Sequence, residues 1–305
     1  MELVSKYFFI LIIIFLLVIG IVDIFGGYGN QLFQICFALY LKKNGYNPYL
    51  YTFGQDNNED HNIYMVENED YNLRKINNSS QNLLRKIKKI NIIDKSLFTV
   101  LKQDATAEIK NLNFPNKKMV TSFNGFWQDK YFVDEVFEEF KFGLLKNKVI
   151  KESLEIVAPR GSTMVHIRRA DFPAYLPLNY YKDAISKACL VDNFSFDIIT
   201  DDPEWVKSCN EFRNANNIYG PSLEDDIKTD TINTFANMLR YENYIISNST
   251  YSWWAAKIGE KKNSLVYYPF PHFPGYQPDI YYKNWIKVDH MYSDKWSQDS
   301  KPYLL

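Results

Sequence analysis

The chain has few cysteines and no surplus of charge of either sign. Its three cysteines are Cys36, Cys189 and Cys209, too few and too scattered for a disulfide framework or a zinc site with paired ligands, so we interpret them as core thiols. Lys and Arg number 35 against 36 Asp and Glu, giving a net charge of -1, so the global basic surplus typical of nucleic-acid-binding proteins is missing and no nucleic-acid partner is expected. With 46% hydrophobic and 23% charged residues, the composition excludes a wholly disordered, collagen-like or polytopic membrane protein.

Long apolar runs are also scarce, and the one that stands out is residues 7–22. As a helix this run would span about 24 Å, against a hydrocarbon core of ~30 Å. Because Lys6 precedes it and no small-residue cleavage site follows, it predicts a retained signal anchor and a membrane-associated, single-pass type II protein. The alternative is that residues 18–25 form a buried first strand of a soluble cytoplasmic protein, which leaves about eleven apolar residues for an anchor.

Beyond this run, short buried segments alternate with amphipathic ones. Helical periodicity follows a glycine-rich loop at residues 26–31 and stops at Asn44 and Gly45. Asp202 before Pro203 predicts the N-cap of a second helix. Strands are predicted over 46–53, 163–167, 194–200 and 244–247, and helices over 179–190, 223–241 and 250–258. This alternation predicts the α/β class with parallel sheets, two at this length. Residues 54–81 are polar and aperiodic, which predicts a surface insertion, and residues 83–93 predict a solvated basic helix.

Two motifs combine glycines or hydroxyls with the start of a helix. Gly26, Gly27 and Gly29 open into a helix with Asn30, where backbone N–H groups could approach an anion, although the spacing is neither that of the dinucleotide fingerprint nor that of a P-loop. A tight structural turn is an equal alternative. Residues 247–250 (SNST) lie where a strand gives way to a helix, so Ser249 and Thr250 are either an anion site or a plain N-cap. Asn248 opens a glycosylation sequon there, and a buried corner makes it a poor acceptor.

Two further motifs are charged and follow predicted strands. The motif HIRRAD contains His166, Arg168, Arg169 and Asp171. Its adjacent arginines could donate paired hydrogen bonds to a phosphate, and a surface salt-bridge cluster is the alternative. Residues 201–202 form an acidic pair that could bind a metal, but helix capping is the favoured role and no metal site is expected. Three anion-compatible strand ends in one α/β chain indicate a nucleotide-diphosphate site.

The order GGYGNQLFQ, HIRRADF, LPLNYY, ITDDPEW and ISNSTYSWWAAKIG resembles that of the α-1,2-fucosyltransferases of glycosyltransferase family 11. The resemblance covers about residues 20–275 outside the Asn-rich insertion, and the motif order is highly specific. It implies a GT-B-like fold, in which two Rossmann-type domains face each other across a cleft. The expected division is a hydrophobic segment (1–19), an acceptor-side domain with the glycine loop (20–150) and a GDP-sugar-binding domain (151–305).

The resemblance also implies an activity, namely inverting transfer of L-fucose from GDP-fucose to a galactose-terminated glycan without an obligatory metal or cofactor. Arg168 and Arg169 would neutralise the leaving diphosphate, Ser249 and Thr250 would hold it from the other side, and Asp171 would orient an arginine first and act as base second. His166, Asn248, Gly26, Gly27, Gly29 and Asn30 complete the donor site, with the glycine loop closing over the phosphate and the acceptor edge.

Two positions depart from the family pattern. Ala170 replaces a usual glycine, and Thr234 replaces an acidic residue expected to contact the nucleobase, for which Asp230, one helical turn earlier, is the substitute. The alternatives are a fucosyltransferase of another linkage, a transferase of another GDP-sugar, or a non-catalytic carbohydrate-binding pseudoenzyme.

Overall fold

The computed structural model describes residues 18–52, 65–76, 98–102, 120–169 and 174–292. The chain divides into two compact units after Gly143, a few residues before the predicted boundary at 150. Helix α3 (Lys148–Glu155) contacts α6 (Ile227–Met238) of the second unit. Residues 148–150 therefore pack with the second unit, although they fall within the predicted first domain.

The first unit is a parallel sheet with strand order β3-β2-β1-β5-β4. Its strands are β1 (Ile19–Asp23), β2 (Asn47–Tyr51), β3 (Arg74–Lys75), β4 (Phe98–Lys102) and β5 (Val120–Asn124), and its helices are α1 (Tyr28–Lys43) and α2 (Lys130–Leu144). Helix α1 ends at Asn44, as predicted, because the backbone N–H groups of Asn44 and Gly45 close the last turn. Phe37 of α1 lies in the core, where its ring stacks on that of Trp127 at a centroid distance of 3.9 Å.

The second unit is a parallel sheet with strand order β11-β10-β9-β6-β7-β8. Its strands are β6 (Ser162–Ile167), β7 (Ser195–Thr200), β8 (Ile218–Tyr219), β9 (Asn243–Ile245), β10 (Val266–Phe270) and β11 (Ile286–Asp289). The helices besides α3 and α6 are α4 (Leu178–Ala188), α5 (Pro203–Ser208) and α7 (Thr250–Gly259). Every residue of β6 is buried, as a central parallel strand requires. The α/β class with two parallel sheets is confirmed.

The apolar run 7–22 does not form one continuous helix. Its end lies in β1, which pairs with β2 and β5 on either side, so the buried-strand interpretation of residues 18–25 is correct for Ile19–Asp23. The strands of parallel sheets are covered on both faces, which explains the unbroken hydrophobicity of this segment. Within the described ranges no helix is long and apolar enough to cross a membrane. Residues 1–17, which carry the rest of the predicted anchor, lie outside those ranges.

Three further predictions differ from the structure. The predicted insertion 54–81 contains β3, which pairs with β2, and buried Met65, Val66 and Leu73; a two-residue strand is too short to show alternation in the sequence. The helix predicted from 223 begins at Ile227, because the Asp226 carboxylate caps it and the Ser222 hydroxyl accepts the N–H groups of residues 224 and 225.

The third difference concerns the cysteines. Cys36 is buried and burial raises the pKa of its thiol, but Cys189 is exposed at the end of α4 and is not a core thiol. The predicted basic helix 83–93 lies outside the described residues.

Candidate active site

The motifs of the second unit meet where its strand order reverses. The chain passes from β6 to β7 and β8 on one side of the sheet and returns to β9 and β10 on the other. In open parallel sheets, ligands bind beyond the carboxyl ends of the strands at such a switch point. Residues 166–167 end β6, residues 168–169 follow it, and residues 246–249 follow the end of β9, so the HIRR and SNST segments lie together at this point.

A hydrogen bond of 2.8 Å joins Nδ1 of His166 to Oγ of Ser247 across this point. Both side chains are buried, and the Ser247 hydroxyl lies 3.5 Å from that of Ser252 in α7. The imidazole therefore connects β6 to the segment that leads into α7. Its predicted contact with a donor stays a prediction.

Arg168 reaches the beginning of α7. Its Nη1 donates to Oγ of Ser249 at 3.4 Å, and the same hydroxyl accepts from the N–H of Tyr251 as the helix N-cap. Ser249 thus is an N-cap, one of the two predicted roles. The arrangement places a half-buried guanidinium beside the positive end of a helix, a combination that favours an anionic ligand. Thr250 is the first residue of α7, at the same terminus.

Neighbouring aromatic and acidic side chains of the protein surround Arg169. Its guanidinium carbon lies 3.8 Å from the ring centroid of Trp205 and 4.3 Å from that of Tyr175, and its Nε pairs with the Asp202 carboxylate at 3.4 Å. Its backbone N–H donates to Oδ1 of Asp201 at 2.7 Å. Only 17% of the Arg169 side chain is exposed, so packing and pairing, rather than solvent, surround this cation. The two adjacent arginines therefore have different environments.

The acidic pair that follows β7 stabilises local structure, as favoured by the sequence. Asp202 accepts from the N–H of Trp205 and caps α5, which begins at Pro203, while Asp201 accepts from the Arg169 backbone. Across the part of the chain that the structure describes, no group of three His, Cys, Asp or Glu side chains could hold a metal ion.

Asn248 connects three segments of the second unit. Its Nδ2 donates to the carbonyl of Ala174 and to the hydroxyl of Tyr292, which lies 3.1 Å away. The residue is 2% exposed, and Nδ2 is the atom that N-glycosylation would modify. Burial and both hydrogen bonds agree with its prediction as a poor glycosylation acceptor.

The glycine loop belongs to the first unit. Gly26 has a φ of +74°, a backbone conformation that favours glycine, and a Cβ there would lie 2.9 Å from Nδ2 of Asn30, whose side chain would have to shift. Gly27 is the N-cap of α1, Gly29 lies within its first turn, and Oδ1 of Asn30 accepts from Gln128 at 3.0 Å. The tight-turn interpretation is thus correct for Gly26, and the donor role of the loop stays a prediction.

Three residues named from the sequence have predicted roles without a structural test. Asp171 and Ala170 lie outside the described residues. Asp230 lies in the first turn of α6, where its carboxylate accepts from the N–H of Ser222 at 3.0 Å. Its predicted contact with a nucleobase remains a prediction.

Several residues that organise these segments were not among the predicted site residues. Tyr180 is fully buried and donates from its hydroxyl to the carbonyl of Ile246, just before SNST. Trp205 supports Arg169, and Gln34 supports the glycine loop by accepting from Phe25 N–H and donating to the Gly125 carbonyl. The motifs LPLNYY, ITDDPEW and GGYGNQLFQ contain these residues, but only the fold shows which groups they contact.

Fold and site together define an α/β protein with an arginine beside a helix N-terminus at the switch point of a parallel sheet. The profile described as Glycosyl transferase family 11 matches residues 21–289. The chain therefore belongs to glycosyltransferase family 11.

Two relatives from Escherichia coli match much of the chain. One is an O-antigen biosynthesis glycosyltransferase, WbnK, 29% identical over 207 residues that cover 60% of this chain and 67% of the relative. The other is an alpha-1,2-colitosyltransferase, 26% identical over 277 residues that cover 81% of this chain and 90% of the relative.

Solved structures to which the chain is similar include a mutant of Arabidopsis thaliana FUT1 in complex with GDP, with a TM-score of 0.48, 13% identity, and coverage of 83% of this chain and 72% of that one. Another is the fucosyltransferase NodZ from Bradyrhizobium, with a TM-score of 0.46, 12% identity, and coverage of 78% and 90% respectively.

Proposed function

We propose that this glycosyltransferase moves L-fucose from GDP-fucose to a hydroxyl of a galactose-terminated glycan, forming an α-1,2 linkage with inversion and without an obligatory metal. The observation that carries the proposal is the Arg168–Ser249 hydrogen bond at the N-terminus of α7. A cation beside the N-terminus of a helix suits the diphosphate of a nucleotide sugar.

In the proposed reaction the acceptor oxygen attacks the anomeric carbon of the donor while the bond from that carbon to the β-phosphate oxygen breaks. The bonding electrons go to the departing GDP, whose added negative charge Arg168 and the α7 terminus stabilise. The hydroxyl proton goes to a carboxylate base, for which Asp171 is the candidate from sequence, or to the departing phosphate. Inversion follows from this single displacement.

Arg169 contributes indirectly in this proposal. Its contacts with Trp205, Tyr175 and Asp202 position the backbone directly after Arg168, so it orients the neighbouring arginine. This packing holds the backbone from which the Arg168 side chain extends toward Ser249.

A second candidate differs only in the donor. One of the relatives is named an alpha-1,2-colitosyltransferase and matches over most of both chains, which supports transfer of colitose, a deoxygenated analogue of fucose, by the same site. The diphosphate contacts would be the same for both donors, so the distinction lies in the sugar pocket.

The test uses purified full-length protein with radiolabelled GDP-fucose, GDP-colitose and GDP-mannose, each with lactose or N-acetyllactosamine, with and without EDTA. Transfer from GDP-fucose that EDTA leaves unchanged, with a product that NMR identifies as α-1,2-linked, supports the proposal. Transfer from GDP-colitose alone supports the second candidate. Binding of GDP without transfer from any donor supports the pseudoenzyme alternative and contradicts both.

A further inference from the structure

Helix α4 and residues 210–214 of the second unit border a cavity of about 360 Å³, which we call the α4 cavity. This volume lies within the range of small-molecule sites in proteins, roughly 300–1,000 Å³. Residues 210–214 lead into the amino end of β8, whereas the candidate active site lies beyond the carboxyl ends of β6 and β9. None of the described residues that line the α4 cavity belongs to that site.

The two walls of the α4 cavity are fixed to each other by a contact between buried rings. Tyr181 of α4 and Phe212 of the other wall are both buried, and their rings meet edge to face at a centroid distance of 6.1 Å. A 3₁₀ turn shapes the second wall, where the N–H of Arg213 donates to the carbonyl of Asn210 at 3.3 Å. The backbone of both walls is therefore ordered before a ligand binds, which lowers the entropy cost of binding.

The α4 cavity is lined by a cation from each wall. Lys182 extends from α4 and Arg213 from the opposite wall, and both are exposed. Among the residues that the structure describes, neither side chain has an ion pair or a hydrogen bond. Lys207, another exposed lysine of this unit, instead pairs with Glu204 at 2.7 Å. Two cations that line one cavity repel each other, and an anion between them would be stabilised by both.

The other lining groups indicate which anion fits. The described lining has one carboxylate, that of Glu211, so the cations outnumber it. Ser186, Asn210 and Asn214 add a hydroxyl and two amides, which are partners for the hydroxyl groups of a ligand. The aliphatic contribution is that of Ile185, which packs against the core of the unit.

The lining also differs from that of a nucleotide or lipid site. None of the described side chains that border the α4 cavity is aromatic, so a nucleobase would have no ring to stack on. A single aliphatic side chain is too little apolar surface for an acyl chain. Cations, amides and a hydroxyl together suit a small ligand that is both anionic and rich in hydroxyl groups.

We propose that the α4 cavity is a second binding site, for a monosaccharide unit that carries a carboxylate or a phosphate. Arg213 and Lys182 bind the anionic group, and the guanidinium offers it two parallel N–H donors. Ser186, Asn210 and Asn214 bind the sugar hydroxyls. The inference goes beyond the proposed function and does not depend on it, because its test needs neither a donor nor transfer.

The experiment measures binding by saturation-transfer NMR on full-length protein. The ligands are methyl β-D-glucuronide and glucose 1-phosphate, with methyl β-D-glucoside as their neutral counterpart. We expect both anionic sugars to bind, and the neutral sugar to bind at least about 10-fold more weakly, because it lacks the hydrogen bonds to charged groups. Binding of only one anionic sugar supports the inference and identifies the anionic group that the cavity accepts.

Two substitutions in the α4 cavity should act in opposite directions. Arg213→Gln should weaken binding of the anionic sugars about 10-fold, because the paired donors are lost. Glu211→Gln should strengthen binding about 2-fold or more, because a negative charge is removed from the lining. A general loss of structure would not produce opposite effects. Lys187→Gln, at an exposed lysine of α4 outside the lining, is the matched control and should change neither affinity.

The inference would be overturned if wild-type protein bound neither anionic sugar, or if Arg213→Gln bound them as tightly as wild type. Weaker binding in Arg168→Ala but not in Arg213→Gln would place the ligand in the candidate active site and would equally contradict it. Inorganic phosphate added as a competitor tests the sugar part. If it displaced glucose 1-phosphate at equal concentration, the cavity would bind anions regardless of the sugar, and the assignment to a monosaccharide would be wrong.

Discussion

The Nη1 atom of Arg168 donates a hydrogen bond to Oγ of Ser249, 3.4 Å away, and so links the segment after β6 to the N-terminus of α7. Because the strand order reverses between β6 and β9, the hydrogen bond spans the switch point of the sheet.

Arg168→Ala should reduce transfer by about 10²–10³-fold, by analogy with the loss of one preorganised donor to a developing charge. Steady-state kinetics with radiolabelled donor measures this change. Arg160→Ala, which removes an arginine side chain that is 73% exposed, is the control and should retain activity. Equal activity of the two variants would show that Arg168 has no role in the transfer reaction.

Arg169→Ala should lower the free energy of unfolding by about 1–3 kcal/mol, because its guanidinium loses two aromatic contacts and a carboxylate partner. Arg168→Ala should cost less stability. Urea unfolding followed by tryptophan fluorescence compares the two. If both variants unfold at the same urea concentration, Arg169 does not have the structural role described here.

Ser249→Asp should retain helix stability and lose GDP binding. Aspartate is a good N-cap, but its charge would neutralise Arg168 and repel a diphosphate. Calorimetry with GDP gives the affinity, and thermal unfolding gives the stability. Asn147→Ala removes a different N-cap, that of α3, and should show the reverse: about 1 kcal/mol of lost stability with GDP affinity intact. If Ser249→Asp bound GDP with wild-type affinity, the proposal that the diphosphate binds beside Ser249 would be wrong.

Protein stability should fall as the pH falls below about 6.5, in part through His272. Burial, together with the neighbouring His290, lowers the pKa of His272 to about 3. Between these pH values the unfolded chain binds a proton that the folded one does not, so folding loses up to about 1.4 kcal/mol per pH unit as acidity rises.

His272→Gln should make this dependence shallower, because the variant has no imidazole to titrate. Urea unfolding at a series of pH values between about 4 and 7 measures the slope. Lys182→Gln, on the exposed side of α4, serves as the control and should leave the slope unchanged. Parallel slopes for wild type and His272→Gln would show that His272 is not the source.

Gln34→Leu should destabilise the first unit by about 2–4 kcal/mol, because the backbone N–H of Phe25 and the carbonyl of Gly125 would lose their partner. Thermal unfolding checks this value. Asn44→Ala, which removes an exposed amide at the end of α1, should cost much less. A Gln34→Leu protein as stable as the wild type would contradict this role of Gln34.

Much of the second unit could be predicted from the sequence because its signals are local. The buried run of β6, the Asp202–Pro203 cap and the N-cap at Ser249 each depend on a few adjacent residues, and the structure places them within one or two positions of the expectation. The predicted first residue of α6 was wrong. Hydrogen bonds of Ser222 and Asp226 stabilise the preceding loop, so the helix begins later than the apolar pattern suggests.

The sequence by itself determined the α/β class, through alternating buried and amphipathic segments, and the family, through the order of its motifs. Only the tertiary structure decided that Arg168 reaches Ser249 while Arg169 packs on Trp205, since the two residues of each pair lie more than 30 positions apart along the chain. It likewise decided that Ile19–Asp23 is a central strand and that Gln34 supports two loops. Periodicity records which side chains are buried, whereas the partner of each polar group depends on which strand ends the topology brings together.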